Sequence, residues 1–238
     1  MPNIIEWPRA WWGVAAAEFY LTPRSQRSQS PWTMRQNIYG PHVQYWQARL
    51  IFPTLLDGDL AARESIIEQL GGTAGLLRMG HPFRITPMFS DEAITGIVGW
   101  SDGTFFTDGT GWLSGPLPSS IHVYSPAAAR TTSVVVGGLP INTSRVLRRG
   151  DMVEFRRDGI ADETPSLHRV LVDAHSNANG RCSISFLPPL RKAVAAGDQV
   201  VLDYPTTVFR LAGDEPQASV RNAAWHGSLE MNLVEALI

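Results

Sequence analysis

Between Val43 and Phe52 the chain alternates. Trp46, Ala48, Leu50 and Phe52 fall on one side, and Tyr45, Gln47 and Arg49 on the other. A period of two marks a strand with one buried face. Pro53 ends that strand, and Asp57-Gly58-Asp59 offers carboxylates for a helix start. Leu60, Ile66, Ile67 and Leu70 then lie close to one face at 3.6-residue spacing, and Gly71-Gly72 stops the helix. Leu76-Leu77-Arg78-Met79 resumes as a strand. The pattern predicts a strand-helix-strand unit with the helix lying across a sheet.

The flanking regions read differently. Residues 1–33 set large aromatics, Trp7, Trp11, Trp12, Phe19 and Tyr20 among them, between prolines, as an extended arm with one short strand. Arg24 to Pro31 is polar and is expected to be a loop. From 85 to 144 glycine, threonine, serine, aspartate and proline dominate, which predicts an irregular insertion of short strands and hairpins. From 145 to 215 the texture is regular β. Met152–Arg156, Leu167–Ala174, Arg181–Leu187, Gln199–Tyr204 and Thr207–Leu211 are expected strands. Cys182, Ile184 and Phe186 point in, and Ser183 and Ser185 point out. So many short strands in so short a span predict a small barrel or sandwich. Residues 216–238 alternate again, with Trp225, Leu229, Met231 and Leu233 on one face. This terminal strand is expected to return to the first domain (1–84), which makes that domain discontinuous.

Composition narrows the function. Twenty basic against 22 acidic residues give a net charge of −2, without a basic stripe of the kind nucleic-acid modules carry. Apolar runs such as Val134-Val135-Val136 are far too short to span a bilayer. Met1 to Trp12 holds no basic segment followed by an apolar run, so no secretion signal is expected. A single cysteine, Cys182, excludes an intrachain disulfide framework. All basic residues but Lys192 are arginine, and Arg with Trp suits protein interfaces.

The motifs of enzymes are missing. There is no G-x-x-x-x-G-K-[ST], no H-E-x-x-H and no C-x-x-C. Gly109-Thr110-Gly111 begins like a phosphate loop, but the next glycine, Gly115, comes one residue late. His168 and His175 are seven apart, which sets them on opposite faces of a straight strand and argues against a shared metal. Cys182 sits on the apolar side of an alternating strand, where a thiol fills space. Asp102, Asp108, Asp151, Asp158 and Asp198 each adjoin a glycine, which is turn chemistry. Neither a catalytic residue, a metal site nor a cofactor is expected.

Several segments in order carry a resemblance. Ser30-Pro31 and a loop precede the strand with Trp46-Gln47-Ala48-Arg49-Leu50, then come Pro53 and a helix ending Leu70-Gly71-Gly72. The second half has Leu147-Arg148-Arg149-Gly150-Asp151, Gly180-Arg181-Cys182-Ser183-Ile184, Pro188-Pro189-Leu190-Arg191 and Thr207-Val208-Phe209-Arg210-Leu211. The chain ends Asn232-Leu233-Val234-Glu235-Ala236-Leu237. This order resembles the distal tail and minor tail proteins of long-tailed, siphovirus-like bacteriophages and phage-like particles.

The resemblance implies a mainly β fold with one flanking helix (α+β), a tail-tube-like β-sandwich with an inserted small β-barrel or sandwich. It implies a structural virion protein of the tail tip, not an enzyme, assembled in the host cytoplasm. Its copies would form a homo-oligomeric ring, expected as a hexamer, joining the tail tube protein to the baseplate hub and other tail-tip proteins. Genomic DNA would pass through the lumen without specific binding, and no membrane insertion is implied. Trp7, Trp11 and Trp12 are the expected interface residues on the arm. The alternatives are a carbohydrate- or peptide-binding β module of the tail tip, or another minor tail or tube protein.

Overall fold

The computed structural model describes residues 4–7, 13–29, 36–53, 55–84, 87, 97–98, 112–113, 121–161, 164, 166–213, 220–221 and 226–237. The chain is mainly β with one α-helix among the described residues. It divides into two compact units. The first comprises Met1–Phe83, Glu163–Pro165 and Thr207–Ile238, and the second Arg84–Asp162 and Ser166–Thr206. Among the described residues no helix is long and apolar enough to cross a membrane.

The first unit opens with strands Ile4–Glu6 (β1), Ala16–Gln29 (β2), Gln36–Ile51 (β3) and Leu55–Leu56 (β4). Helix Asp57–Leu70 (α1), a 3-10 turn at Gly72–Ala74 and strand Leu76–Gly80 (β5) follow. Leu60, Arg63, Ile66 and Leu70 form the buried side of the helix. Arg63 stays there by turning its guanidinium over the Phe52 ring, 5.4 Å away, and donating to Asp59 O at 2.8 Å. Gly71 ends the helix in the left-handed region with φ 60°. Gly75 must be glycine, because a Cβ there would lie 2.2 Å from Leu70 O.

The second unit holds Ile97–Val98 (β6), Trp112–Leu113 (β7), His122–Val123 (β8), Ser133–Gly137 (β9), Met152–Arg156 (β10), Leu167–Val170 (β11), Cys182–Leu187 (β12) and Gln199–Val201 (β13). Six of them close into a barrel in the order β10-β11-β12-β9-β8-β13. Its interior is filled by inward residues of alternating strands, among them Val134, Val153, Val170, Ile184, Phe186 and Val200. Two strands are launched by the same turn. Gly150 and Gly197 both have φ 95°, and the aspartate after each accepts a main-chain N–H three residues back. Asp151 Oδ2 takes Arg148 N at 2.7 Å and Asp198 Oδ2 takes Ala195 N at 2.8 Å.

The chain then rejoins the first unit with Thr206–Leu211 (β14), Val220–Arg221 (β15), His226–Ser228 (β16) and Glu230–Glu235 (β17). The main sheet has the order β1-β5-β14-β17-β3-β2, and a small second sheet the order β15-β16-β4. β17 is antiparallel to both neighbours, with Leu233 opposite Ala48 and opposite Leu211. Phe19, Trp46 and Phe209 meet on the inner face, with Phe19 5.2 Å from Trp46 and 5.7 Å from Phe209. Leu76, Val208 and Ala236 form a second cluster with Ile4. Leu76 and its neighbour Leu77 are both fully buried, so the sheet is covered on both faces at β5.

Three expected boundaries move. β8 and β9 lie in the segment expected to be an irregular insertion, yet both are barrel strands. Thr207–Leu211 was expected in the barrel but belongs to the main sheet beside β17. Residues 24–29, expected to be a loop, are the second half of β2. Arg24-Ser25-Gln26-Arg27-Ser28-Gln29 are all polar, so no apolar period marks the strand.

Candidate assembly surface

The β2–β3 hairpin is much longer than the sheet it belongs to. Its register runs from Ala16 opposite Ile51 to Gln29 opposite Gln36, with an irregularity between Arg24 and Gln26. β17 follows β3 only from Ile51 to Gln47. Among the described residues no third strand is in register with the ribbon between Gln36 and Val43. Eight residues of strand reach about 26 Å. On the other side, β2 is the outermost strand of the sheet.

Glu235 marks where β17 and β3 part. The carboxylate is 3 % exposed. Its Oε2 accepts Trp46 N at 3.1 Å and its Oε1 accepts the Thr207 hydroxyl at 3.0 Å. A side chain thus takes a main-chain donor of β3 just past the last registered pair. β17 meanwhile stays with β14, since Glu235 is opposite Phe209 and Ala236 N donates to Val208 O at 2.9 Å. The two strands diverge, and a wedge of about 390 Å³ opens, lined by Val43, Tyr45, Val234, Glu235 and Leu237. Val43 is 39 % and Leu237 50 % exposed, so its rim is apolar and accessible.

Above the divergence the outer face of the sheet is polar and pinned in register. Arg49 grips Glu230 through two bonds, Nε to Oε1 at 2.6 Å and Nη2 to Oε2 at 3.0 Å, with Glu18 3.8 Å away. Arg49 holds the Glu230 carboxyl below its ordinary range, and Glu230 raises the Arg49 guanidinium in return. Thr22 donates to Gln47 at 3.1 Å across the same ribbon. Tyr20, on the same face of β2, is 48 % exposed.

Trp7, one of the expected interface residues, is not part of this surface. Trp7 is 4 % exposed, stacks at 5.8 Å on Phe52 and donates its main-chain N–H to Arg78 O at 2.9 Å. It is a core residue of its own chain, and its expected interface role is corrected accordingly. Trp11 and Trp12 lie outside the described residues. No protein-family model matches the chain, and no curated protein matches it.

His168 and Cys182 are buried in the barrel. His168 is fully buried between Phe155 at 5.3 Å and Phe186 at 4.7 Å, with its Nδ1–H donating to Pro188 O at 2.7 Å. Burial, aided by Arg191, lowers its pKa to about 4. Cys182 is a buried free thiol whose pKa burial pushes up to about 12. His175 sits on an exposed loop with Nδ1 3.3 Å from the Ser144 hydroxyl. Among the described residues no group of three or more His, Cys, Asp or Glu could hold a metal ion. Sequence reasoning missed Glu235 and the wedge. Glu235 reads as a polar residue near a chain end, and the available signal is its place in phase with buried Met231 and Leu233.

Proposed function

We propose that this chain is a structural subunit of a phage tail tip, a distal tail protein whose copies close into a ring joining the tail tube to the baseplate hub. One observation carries the reading: the β2–β3 ribbon runs on past the strands that support it. A two-stranded ribbon is marginal in water, and stability needs a third strand or a packed face. Unpaired strand edges template pairing with another chain, and among the described residues no third strand is in register with Gln36 to Val43. The two edges belong to different strands, so a contact between copies joins unlike surfaces. Such heterologous contacts make rings when the rotation closes. Pro23, Pro41 and the irregularity beside Arg24 limit the straight edge available, which works against open-ended stacking. The sheet supplies the ring, and the barrel, whose strands have no free edge, serves contacts with other tip proteins.

Light scattering after size exclusion, with negative-stain electron microscopy, tests this. Closed rings with an open lumen and six copies are expected. A monomer at every concentration overturns the reading.

A further inference from the structure

We propose that the wedge between β3 and β17 is a socket in which a second copy of this chain seats Tyr20. The inference rests on the ring reading and deepens it. Three features of the sheet point to that occupant. The socket opens where β3 runs on beyond β17, so a strand laid along β3 arrives in line with β17. The edge that a neighbour offers in a head-to-tail contact is β2, the strand that ends the sheet on the ribbon's side. Of the outward-facing residues on β2, Tyr20 is large and 48 % exposed. It pairs with Gln47, in line with Val234, and so faces the same side of the sheet as Val43, Tyr45 and Val234.

The geometry also sets a stagger. Tyr20 is opposite Gln47 within its own chain, whereas the socket lies at Val43 and Tyr45. Neighbouring ribbons are therefore offset along the strand, as a closed barrel of tilted strands requires. A tyrosine suits the site, because its ring meets the apolar side chains Val43, Val234 and Leu237. Glu235 is a positioning residue here, tying β17 to Trp46 N of β3 and to Thr207 of β14 at the mouth of the wedge.

The test is a double variant, Tyr20→Cys with Val43→Cys, in the full chain. The four-residue offset along the ribbon, about 13 Å, is too far for a disulfide within one copy. The native thiol, Cys182, is buried and does not compete. Mild oxidation is expected to give a covalent ladder of oligomers that neither single variant gives. Val43→Arg and Leu237→Arg, at exposed positions, are expected to raise the concentration for half-assembly roughly tenfold or more with an unchanged circular dichroism spectrum. Ile160→Arg, exposed on the second unit, serves as the control. Rings that form normally with no ladder, or that tolerate both arginines, overturn the socket and leave the ring standing. A wild-type chain that never assembles overturns both.

Discussion

The barrel closes on itself, and the six-stranded sheet does not. In the barrel each of six short strands has a neighbour on both sides. In the sheet the longest element, the β2–β3 hairpin, extends past its support. Both units bury a glutamate, and the two use consecutive threonines. Glu154, 1 % exposed, takes Thr206 N at 2.7 Å, the Thr206 hydroxyl at 3.1 Å and a two-bond grip from Arg156 at 2.7 and 2.8 Å. Glu235 takes the Trp46 main-chain N–H at 3.1 Å and the Thr207 hydroxyl at 3.0 Å. The barrel's carboxylate completes a network, whereas the sheet's carboxylate ends a ladder.

The largest expected effects are core deletions that separate the two units. Phe186→Ala in the barrel and Trp46→Ala in the sheet each remove a fully buried aromatic ring. Each should cost roughly 3–5 kcal/mol. Hydrogen exchange followed residue by residue checks it. Phe186→Ala is expected to strip protection from β9 and β12 amides, and Trp46→Ala from β3 and β17. Uniform loss throughout the chain with either variant would abolish the distinction between a closed and an open unit.

Next come the two glutamates. Glu154→Ala leaves the Arg156 guanidinium and the Thr206 N–H facing a void, which should cost roughly 3–5 kcal/mol. Glu235→Ala removes the acceptor of the Trp46 N–H and of the Thr207 hydroxyl, a cost of roughly 1–3 kcal/mol. Denaturant melts should rank Glu154→Ala below Glu235→Ala in stability. The reverse order would mean that Glu235 is not merely a ladder terminator.

These residues also show where the sequence is readable. β12 announces itself because one face is buried and one exposed, so Cys182, Ile184 and Phe186 alternate with two serines. The helix is equally plain from its apolar spacing and its glycine stop. Thr207, Val208 and Phe209 are all buried, so that stretch of β14 lacks the alternation that would tie it to one sheet rather than another. The outer half of β2 fails for the opposite reason: Arg24 to Gln29 are all polar, so no apolar period marks a strand. β8 has two residues, too few for any period. Arg63, Glu154 and Glu235 are charged, and a charge reads as surface until its partners are known. The socket was unreadable because it arises from a divergence of strands nearly 190 residues apart, Trp46 and Glu235.

The barrel should also respond to acid. His168 is held neutral, with a folded pKa of about 4 against an ordinary 6.5. The unfolded chain binds the proton first, so stability is full above about pH 6.5 and falls as the pH drops toward 4. A difference of about 2.5 units corresponds to about 3 kcal/mol once the pH is below both values. Melts at pH 7.5, 6 and 4.5 should show this decline in the barrel. His168→Gln keeps a donor for Pro188 O but does not titrate, and should flatten that slope. An equal slope in the variant would place the acid sensitivity elsewhere.

The smallest effect belongs to the open face of the sheet. The Arg49–Glu230 pair has good two-bond geometry, yet both side chains are 43 % exposed. Pairs in such contact with water add little to stability, because solvent screens the attraction and two long side chains must be ordered. Their function is registration: Arg49 on β3 ties β17 through Glu230 and approaches β2 through Glu18. Arg49→Gln should therefore leave the thermal midpoint within experimental scatter. The same variant should let the Glu230 carboxyl rise toward its ordinary pKa, visible in a side-chain NMR titration, because Arg49 is the main cause of its lowering. A large drop in midpoint would show that this face is shielded from water, and an exposed, edge-bearing sheet would no longer stand in contrast to the closed barrel.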